Sequence, residues 1–394
     1  MSAQLSNRVQ QIKPSPTLAI TSKAAELRAA GQDIIGLGAG EPDFDTPEHI
    51  KQAAVDALNA GKTKYTPVDG TPELKDAIIE KFRRDNNLSY ERNQILVSCG
   101  GKQSFFNLAL ALLNPGDEVI IPAPYWVSYP DMVKIAEGTP VILESSADTG
   151  FKVTADQIRG ALTERTKLVV INSPSNPSGK AYSREELAAI GEVLEEYPDV
   201  MIATDDMYEH ILWNGEFINI VNATPSLKNR TFVLNGVSKA YSMTGWRIGY
   251  AAGPADVIGA MKKIQSQSTS NPASISQAGA TAALNGPQEC VTEMLKAFHE
   301  RHDYVVKALN ELPGVECIES DGTFYAFPGF QGAIEATEGV NNDVEMAEHL
   351  LNTAGVALVP GSAFGTPGHM RLSFATSMDN LKNAIERLGK ALKT

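Results

Sequence analysis

From residue 95 the apolar positions settle into short strand-like runs separated by longer stretches with helical spacing. The runs are 95–98, 118–122, 139–143, 168–171, 200–204, 231–234 and 249–252, with helical stretches such as 103–113 and 184–196 between several of them. This alternation predicts an open, mostly parallel sheet covered by helices on both faces. Ligands of such sheets bind beyond the C-terminal strand ends, so the residues that follow each run are expected on one rim.

The flanks read differently. A helix is predicted over 16–30, stopped by Gly31, and another from Pro47 to about Asn59, capped by Asp45 or Thr46. A loop over 65–74 leads into a helix ending near Asp85, and the polar stretch 262–280 breaks between two helices at Asn271-Pro272. Beyond Asn285 a long helix (288–311) precedes short strands at 315–318 and 322–327, a helix over 343–353, strands at 356–359 and 370–373, and a final helix from Met378. The expected architecture is therefore α/β. A large, mostly parallel sheet domain spans 47–284, and a smaller α+β domain is assembled from 1–46 and 285–394.

Composition narrows the function classes. The 394 residues are 43% hydrophobic and 21% charged, as in a soluble globular protein, and the formal net charge is -13. That balance argues against nucleic-acid and anionic-membrane partners, which call for basic patches. No apolar run reaches the roughly 18 residues of a membrane span. The polar start, 1–13, lacks a signal-peptide core, and the three cysteines are scattered. A reducing cytoplasm is the expected compartment. A DNA-binding regulator would need a basic module for which the residues before Pro16 leave no room.

Three motif readings are excluded. Gly36-x-Gly38 lacks the third glycine of a dinucleotide fingerprint, because Glu41 and then Pro42 stand there. Gly101-Lys102 is no Walker A loop, with Leu96 at the first glycine position and Gln103 after the lysine. His299 and His302 are one residue short of the helical zinc spacing, so no metal is expected.

What remains is a turn after the run 231–234, Ser238-Lys239-Ala240-Tyr241-Ser242-Met243-Thr244-Gly245-Trp246-Arg247. A lysine that attacks a carbonyl needs a compact, water-poor seat, and an arginine close by offers a phosphate fork. Together they describe a pyridoxal phosphate site; the alternative is a surface turn with two ordinary cations. Other rim residues have similar double readings. Gly100-Gly101 opens a helix whose amides suit phosphate, or simply make a tight turn. Trp126 is a core aromatic or a stacking partner for a flat ring. Asn176, between Pro174 and Pro177, is a turn residue or a rigid donor to a phenolic oxygen. Asp205, at the end of 200–204, is a cap or the counter-ion of a pyridinium. Arg371, in an apolar strand, pairs with a structural acid or with a substrate carboxylate.

The strings Ser238-Lys239 and Gly245-Trp246-Arg247-Ile248-Gly249 resemble the cofactor attachment signature of the class I pyridoxal-phosphate-dependent aminotransferases. So do Gly40-Glu41-Pro42-Asp43-Phe44, Tyr65-Thr66-Pro67, Asn176-Pro177-x-Gly179 and Arg371-Leu372-Ser373-Phe374. The likeness runs from about Arg8 to the end and is nearest to the bacterial aspartate aminotransferase subgroup that includes aspartate/prephenate enzymes. It implies fold-type I and a homodimer with shared sites, acting on small amino acids and 2-oxo acids. The implied reaction moves the amino group of L-aspartate to 2-oxoglutarate through a Lys239 Schiff base with pyridoxal 5'-phosphate. Prephenate, aromatic or alanine transamination and a β-lyase on the same fold are the alternatives. The resemblance assigns the phosphate to Gly101, Lys102, Arg247 and Tyr65 of the other subunit, with Ser238 a further helper because Gly236 replaces a serine found in some relatives. It assigns O3′ to Asn176 and Tyr208, the pyridinium to Asp205, and the ring face to Trp126. The α-carboxylate falls to Arg371, Asn176 and the Gly40 backbone, and the distal carboxylate to Lys102. Asp206 departs from the glutamate common at its position.

Overall fold

The computed structural model describes residues 4–393. Seven strands form one sheet in the order Ile95–Ser98, Gly249–Ala252, Thr231–Gly236, Met201–Asp205, Thr166–Asn172, Glu118–Pro122, Thr139–Leu143. All neighbours are parallel except Gly249–Ala252, which runs against both strands beside it. Alternation along each strand feeds two cores. Val97, Ile120 and Val169 point to one face, and Leu96, Val119, Ile121, Leu168 and Val170 to the other. Both faces are thus buried, as a parallel sheet requires. Each run expected from the apolar pattern is a strand, and 168–171 and 231–234 extend to Thr166–Asn172 and Thr231–Gly236.

The remaining chain builds a separate core around the helix Glu289–Leu309, with Phe298, Phe324, Tyr325, Leu350 and Leu372. Tyr325–Ala326 and Val359–Pro360 flank Met370–Ser373 in an antiparallel sheet. Ile35–Gly36 pairs in parallel with Val356–Ala357, which stitches the N-terminal segment to this core.

The strand expected at 322–327 is confined to Tyr325–Ala326, and 356–359 divides into Val356–Ala357 and Val359–Pro360, which belong to different sheets. Two further expectations change. No strand forms at 315–318. The Asn310 amide takes the Cys317 backbone instead, Oδ1 accepting its N–H at 2.9 Å and Nδ2 donating to its carbonyl at 2.9 Å. Only Glu316 keeps a bridge, to Gly329. The helix Glu48–Asn59 has no side-chain cap. The Thr46 hydroxyl is occupied elsewhere, donating to the Ser242 carbonyl at 2.6 Å and accepting from Trp246 Nε1 at 2.9 Å. Thr46 therefore fastens the turn that carries Lys239. The break at Asn271-Pro272 does separate two helices, Ala255–Ser266 and Ser274–Asn285.

Candidate active site

Strand register builds the rim. Asn172 lies beside Asp205, Asp205 beside Leu234, and Gly249 beside both Gly236 and Ser98. Beyond these ends is a cavity of about 240 Å³, lined by Gly40, Gly101, Lys102, Trp126, Asn176, Asp205, Tyr208, Ser238, Lys239, Arg247 and Arg371. Of the residues singled out in the sequence, Tyr65 alone lies elsewhere. It is 92% exposed and faces a different opening beside Thr66 and Ala278.

Lys239 sits in the turn after Thr231–Gly236, its Nζ donating to the Gly40 carbonyl at 2.5 Å. Burial, reinforced by the Arg371 guanidinium, pulls its amine down to about 8, against a partial opposing pull from Glu41. A lysine in that range supplies neutral amine near neutral pH.

Asp205 stands across from it. Tyr129 Oη donates to Asp205 Oδ2 at 2.5 Å and the Met207 amide to Oδ1 at 3.2 Å. Burial raises the carboxyl, and these donors together with Lys239 hold it back toward the ionised form. Asp206 points away, into Thr204 Oγ1 and Asn219 Nδ2, and burial with the nearby Glu209 charge pushes it up to about 7. The two adjacent acids therefore do different work, and only Asp205 faces the cavity.

One end of the cavity is a cationic cradle. Gly100, at φ +89°, precedes the helix Gly101–Leu112, and a Cβ on it would lie 2.3 Å from Arg247 Nη2. A Cβ on Gly249 would lie 2.2 Å from the Gly101 nitrogen. Backbone and guanidinium approach this closely only because both residues are glycine. Arg247, itself left-handed at φ +56°, donates to the Thr244 carbonyl at 2.8 Å and the Cys99 carbonyl at 3.3 Å. Lys102 Nζ lies 5.2 Å from the centroid of the Trp126 ring, and burial and the Arg247 charge lower its pKa. At Gly236 the room for a side chain is taken by the Ile248 carbonyl and Met207 Cε, 3.0 and 3.1 Å from where a Cβ would be.

At the other end Arg371 is 2% exposed. Nη1 donates to Asn176 Oδ1 at 2.9 Å and Nη2 to the Gly38 carbonyl at 2.7 Å, while Nε is buried without a partner. Among the described residues no carboxylate pairs with it, so the structural-acid reading fails. A buried guanidinium without an anion is costly, and this one borders the cavity.

Sequence reasoning missed several contributors. Asn172 Oδ1 accepts the Asn176 N–H at 2.9 Å and its Nδ2 donates to the Asp205 carbonyl at 3.0 Å. Tyr129 grips Asp205, and Tyr325 lies under Arg371. Ser15, Thr17 and Leu18 come to the cavity wall from the start of the helix Pro16–Ala29. Asn172, at a strand end, carried the same signal as Asp205; the others had no local one.

These residues fit pyridoxal phosphate. The glycine cradle with Lys102 and Arg247 matches its phosphate, the donor-bound Asp205 its ring nitrogen, and the amine of Lys239 its aldehyde. Among the described residues no cluster of three or more His, Cys, Asp or Glu is placed to hold a metal ion, and no helix is long and apolar enough to cross a membrane.

Comparison with known proteins gives a consistent result. The family model "Aminotransferase class I and II" matches residues 32–388. An aspartate/prephenate aminotransferase of Nitrosomonas europaea is 60% identical over 99% of this chain and 100% of its own length. The aspartate aminotransferase of Bacillus subtilis is 51% identical over 98% of each chain. Among solved structures, the aspartate aminotransferase of Rhizobium meliloti superposes with a TM-score of 0.96 at 50% identity, covering 100% of this chain and 99% of that one. That of Thermus thermophilus with maleate does so with a TM-score of 0.93 at 45% identity, covering 99% and 100%.

Proposed function

The chain belongs to the class I and II aminotransferases, and from that premise we propose that it transfers the amino group of L-aspartate to 2-oxoglutarate, giving oxaloacetate and L-glutamate. The observation that carries this is Arg371, a buried guanidinium with an unpartnered Nε in the cavity that holds the amine of Lys239. An anion belongs there, within reach of the proton-transferring group.

Pyridoxal phosphate, when bound, supplies the electron sink that makes the substrate's α-proton removable. The protein's part is binding, orientation and proton transfer. The Gly101 amide, Arg247 and Ser238 would hold the phosphate, Asp205 would keep the ring nitrogen protonated, Asn176 and Tyr208 would donate to O3′, and Trp126 would cover the ring. Arg371, with Asn176 and the Gly40 backbone, fixes the α-carboxylate and so decides which bond at the α-carbon is weakened. The neutral Lys239 amine would take up the α-proton at Nζ and hold it beside the substrate for return. Incubating the protein with pyridoxal phosphate, 2-oxoglutarate and each amino acid tests the reading: glutamate should form fastest with aspartate, and no glutamate from any amino acid would refute it. Prephenate belongs in the same assay, because the Nitrosomonas relative is named for both substrates.

Substrate choice turns on Lys102. No lysine or arginine lies between Lys263 and Lys296, the region where some aspartate aminotransferases place a partner-subunit arginine. Among the cations that line the cavity, Lys102 is the leading substitute for binding a distal carboxylate. An ammonium–carboxylate bond contributes roughly 1.5–3 kcal/mol, about one to two powers of ten. Lys102→Ala is expected to lower kcat/KM for aspartate by that factor and to spare alanine. Equal losses for both would assign Lys102 to the cofactor.

The working assembly in this reading is a cytoplasmic homodimer, each subunit divided into a large domain, 47–284, and a small one, 1–46 with 285–394. The exposure of Tyr65 supports a shared site, since this phenol reaches no cofactor in its own chain. Mixing inactive Tyr65→Ala and Lys239→Ala subunits should restore activity in heterodimers. Verified heterodimers without activity would argue for independent sites.

A further inference from the structure

Tyr325 is fully buried at the cavity wall and touches three parts of the site at once. Its ring lies under the Arg371 guanidinium, 4.4 Å from carbon to centroid, with Phe364 at 5.0 Å. Its hydroxyl is 3.0 Å from the Tyr208 hydroxyl. A Cβ on Gly40 would lie 2.9 Å from that same oxygen, so the Gly40 turn closes against it. The residue is itself held firmly: its strand pairs Tyr325 with Ser373, two residues from Arg371, and its carbonyl accepts from Ser320 Oγ at 2.9 Å.

We propose that Tyr325 is a positioning residue that couples the carboxylate-binding end of the site to Tyr208, its ring holding the Arg371 guanidinium flat and its hydroxyl donating to the Tyr208 oxygen. The inference rests on the functional reading above. In an isolated pair either phenol can donate. Once Tyr208 commits its proton to O3′ of the cofactor, Tyr325 is the one with a proton to give. The donated bond polarises Tyr208 and makes it the better donor in turn. Burial raises the Tyr325 phenol above its ordinary range, with the Arg371 charge over its ring offsetting part of that rise, so it keeps its proton. Carboxylate binding at Arg371 is thereby linked to the charge on O3′ through one side chain.

The two functions of Tyr325 separate by substitution. Tyr325→Phe keeps the platform and removes the donor; Tyr325→Leu removes both. Two measurements on the cofactor-loaded enzyme read them without turnover: the pH midpoint of the cofactor's visible absorbance change, and calorimetric binding of maleate, a dicarboxylate without an amino group. A donor to O3′ stabilises the deprotonated chromophore. Its weakening in Tyr325→Phe is expected to raise the midpoint by roughly 0.4 to 1 pH unit, with maleate affinity held within about twofold. Tyr325→Leu is expected to show the same midpoint shift and to bind maleate roughly 3- to 30-fold more weakly. A wild-type midpoint in the phenylalanine variant, or wild-type maleate affinity in a folded leucine variant, overturns the coupling. If the leucine variant does not fold, the phenylalanine midpoint decides alone. A wild-type protein that neither develops the absorbance nor transaminates would instead sink the functional reading, so the two failures are distinguishable.

Discussion

Lys239→Ala is expected to abolish the visible absorbance of lysine-linked cofactor and to lower turnover by at least about 10²–10⁴-fold, the usual worth of a positioned proton-transfer group. The expectation follows from placement. Lys239 is bonded to the Gly40 carbonyl at the cavity wall, and Lys102, the other lysine there, lies over Trp126 at the rim. The pH dependence carries a sign. Because the folded chain lowers the Lys239 amine to about 8, its neutral fraction rises with pH up to that range and then levels. The rate at which the apo chain captures pyridoxal phosphate should follow that curve. A rate still climbing toward pH 10, as for an ordinary lysine, would show that the amine is not depressed. A borohydride-reducible cofactor link in Lys239→Ala, with normal transamination, would move the assignment to another residue.

Asp205→Asn is the second large effect. The carboxylate is fixed by Tyr129 and by the Met207 amide, so an amide in its place keeps the shape and loses the charge. Without that charge the ring nitrogen of the bound cofactor loses its proton near neutral pH, and the electron sink weakens. Single-turnover α-proton removal is expected to slow by roughly 10²–10³-fold, in the range of other preorganised electrostatic contacts, with cofactor still bound through the phosphate cradle. An unchanged single-turnover rate would remove Asp205 from this role.

The large sheet was readable because its strands are apolar runs bounded by turn residues, and burial on both faces leaves little ambiguity. Glu118–Pro122 and Gly249–Ala252 carry their signal locally. The region 315–318 has a similar local pattern, but the Asn310 side chain substitutes for a neighbouring strand, and only the three-dimensional chain reveals that. The Thr46 cap failed for a related reason: its hydroxyl serves Ser242 and Trp246, 196 and 200 residues away. In the site, Lys239, Asp205 and Asn176 were legible because they follow strands or interrupt turns. Tyr129 and Tyr325 were not, since a phenol within a helix or strand looks like any core aromatic until its hydroxyl is seen against Asp205 or Tyr208. Tyr65 was singled out by motif, and within its own chain it lies exposed, away from the cavity.

The bond from Arg371 Nη2 to the Gly38 carbonyl joins positions 333 residues apart, and this sets an order on how the protein is made. Synthesis proceeds N-terminal first, with regions folding as they are completed. Every strand of the large sheet, and with it Lys102, Asp205, Lys239 and Arg247, has emerged once Ala252 is made. The nascent chain can therefore assemble the phosphate cradle while the end that recognises a carboxylate is still missing. That end waits for Arg371, made well after Ala252, and for the entropy of closing so long a loop onto Gly38. A grip on the α-carboxylate is therefore acquired only after the phosphate cradle.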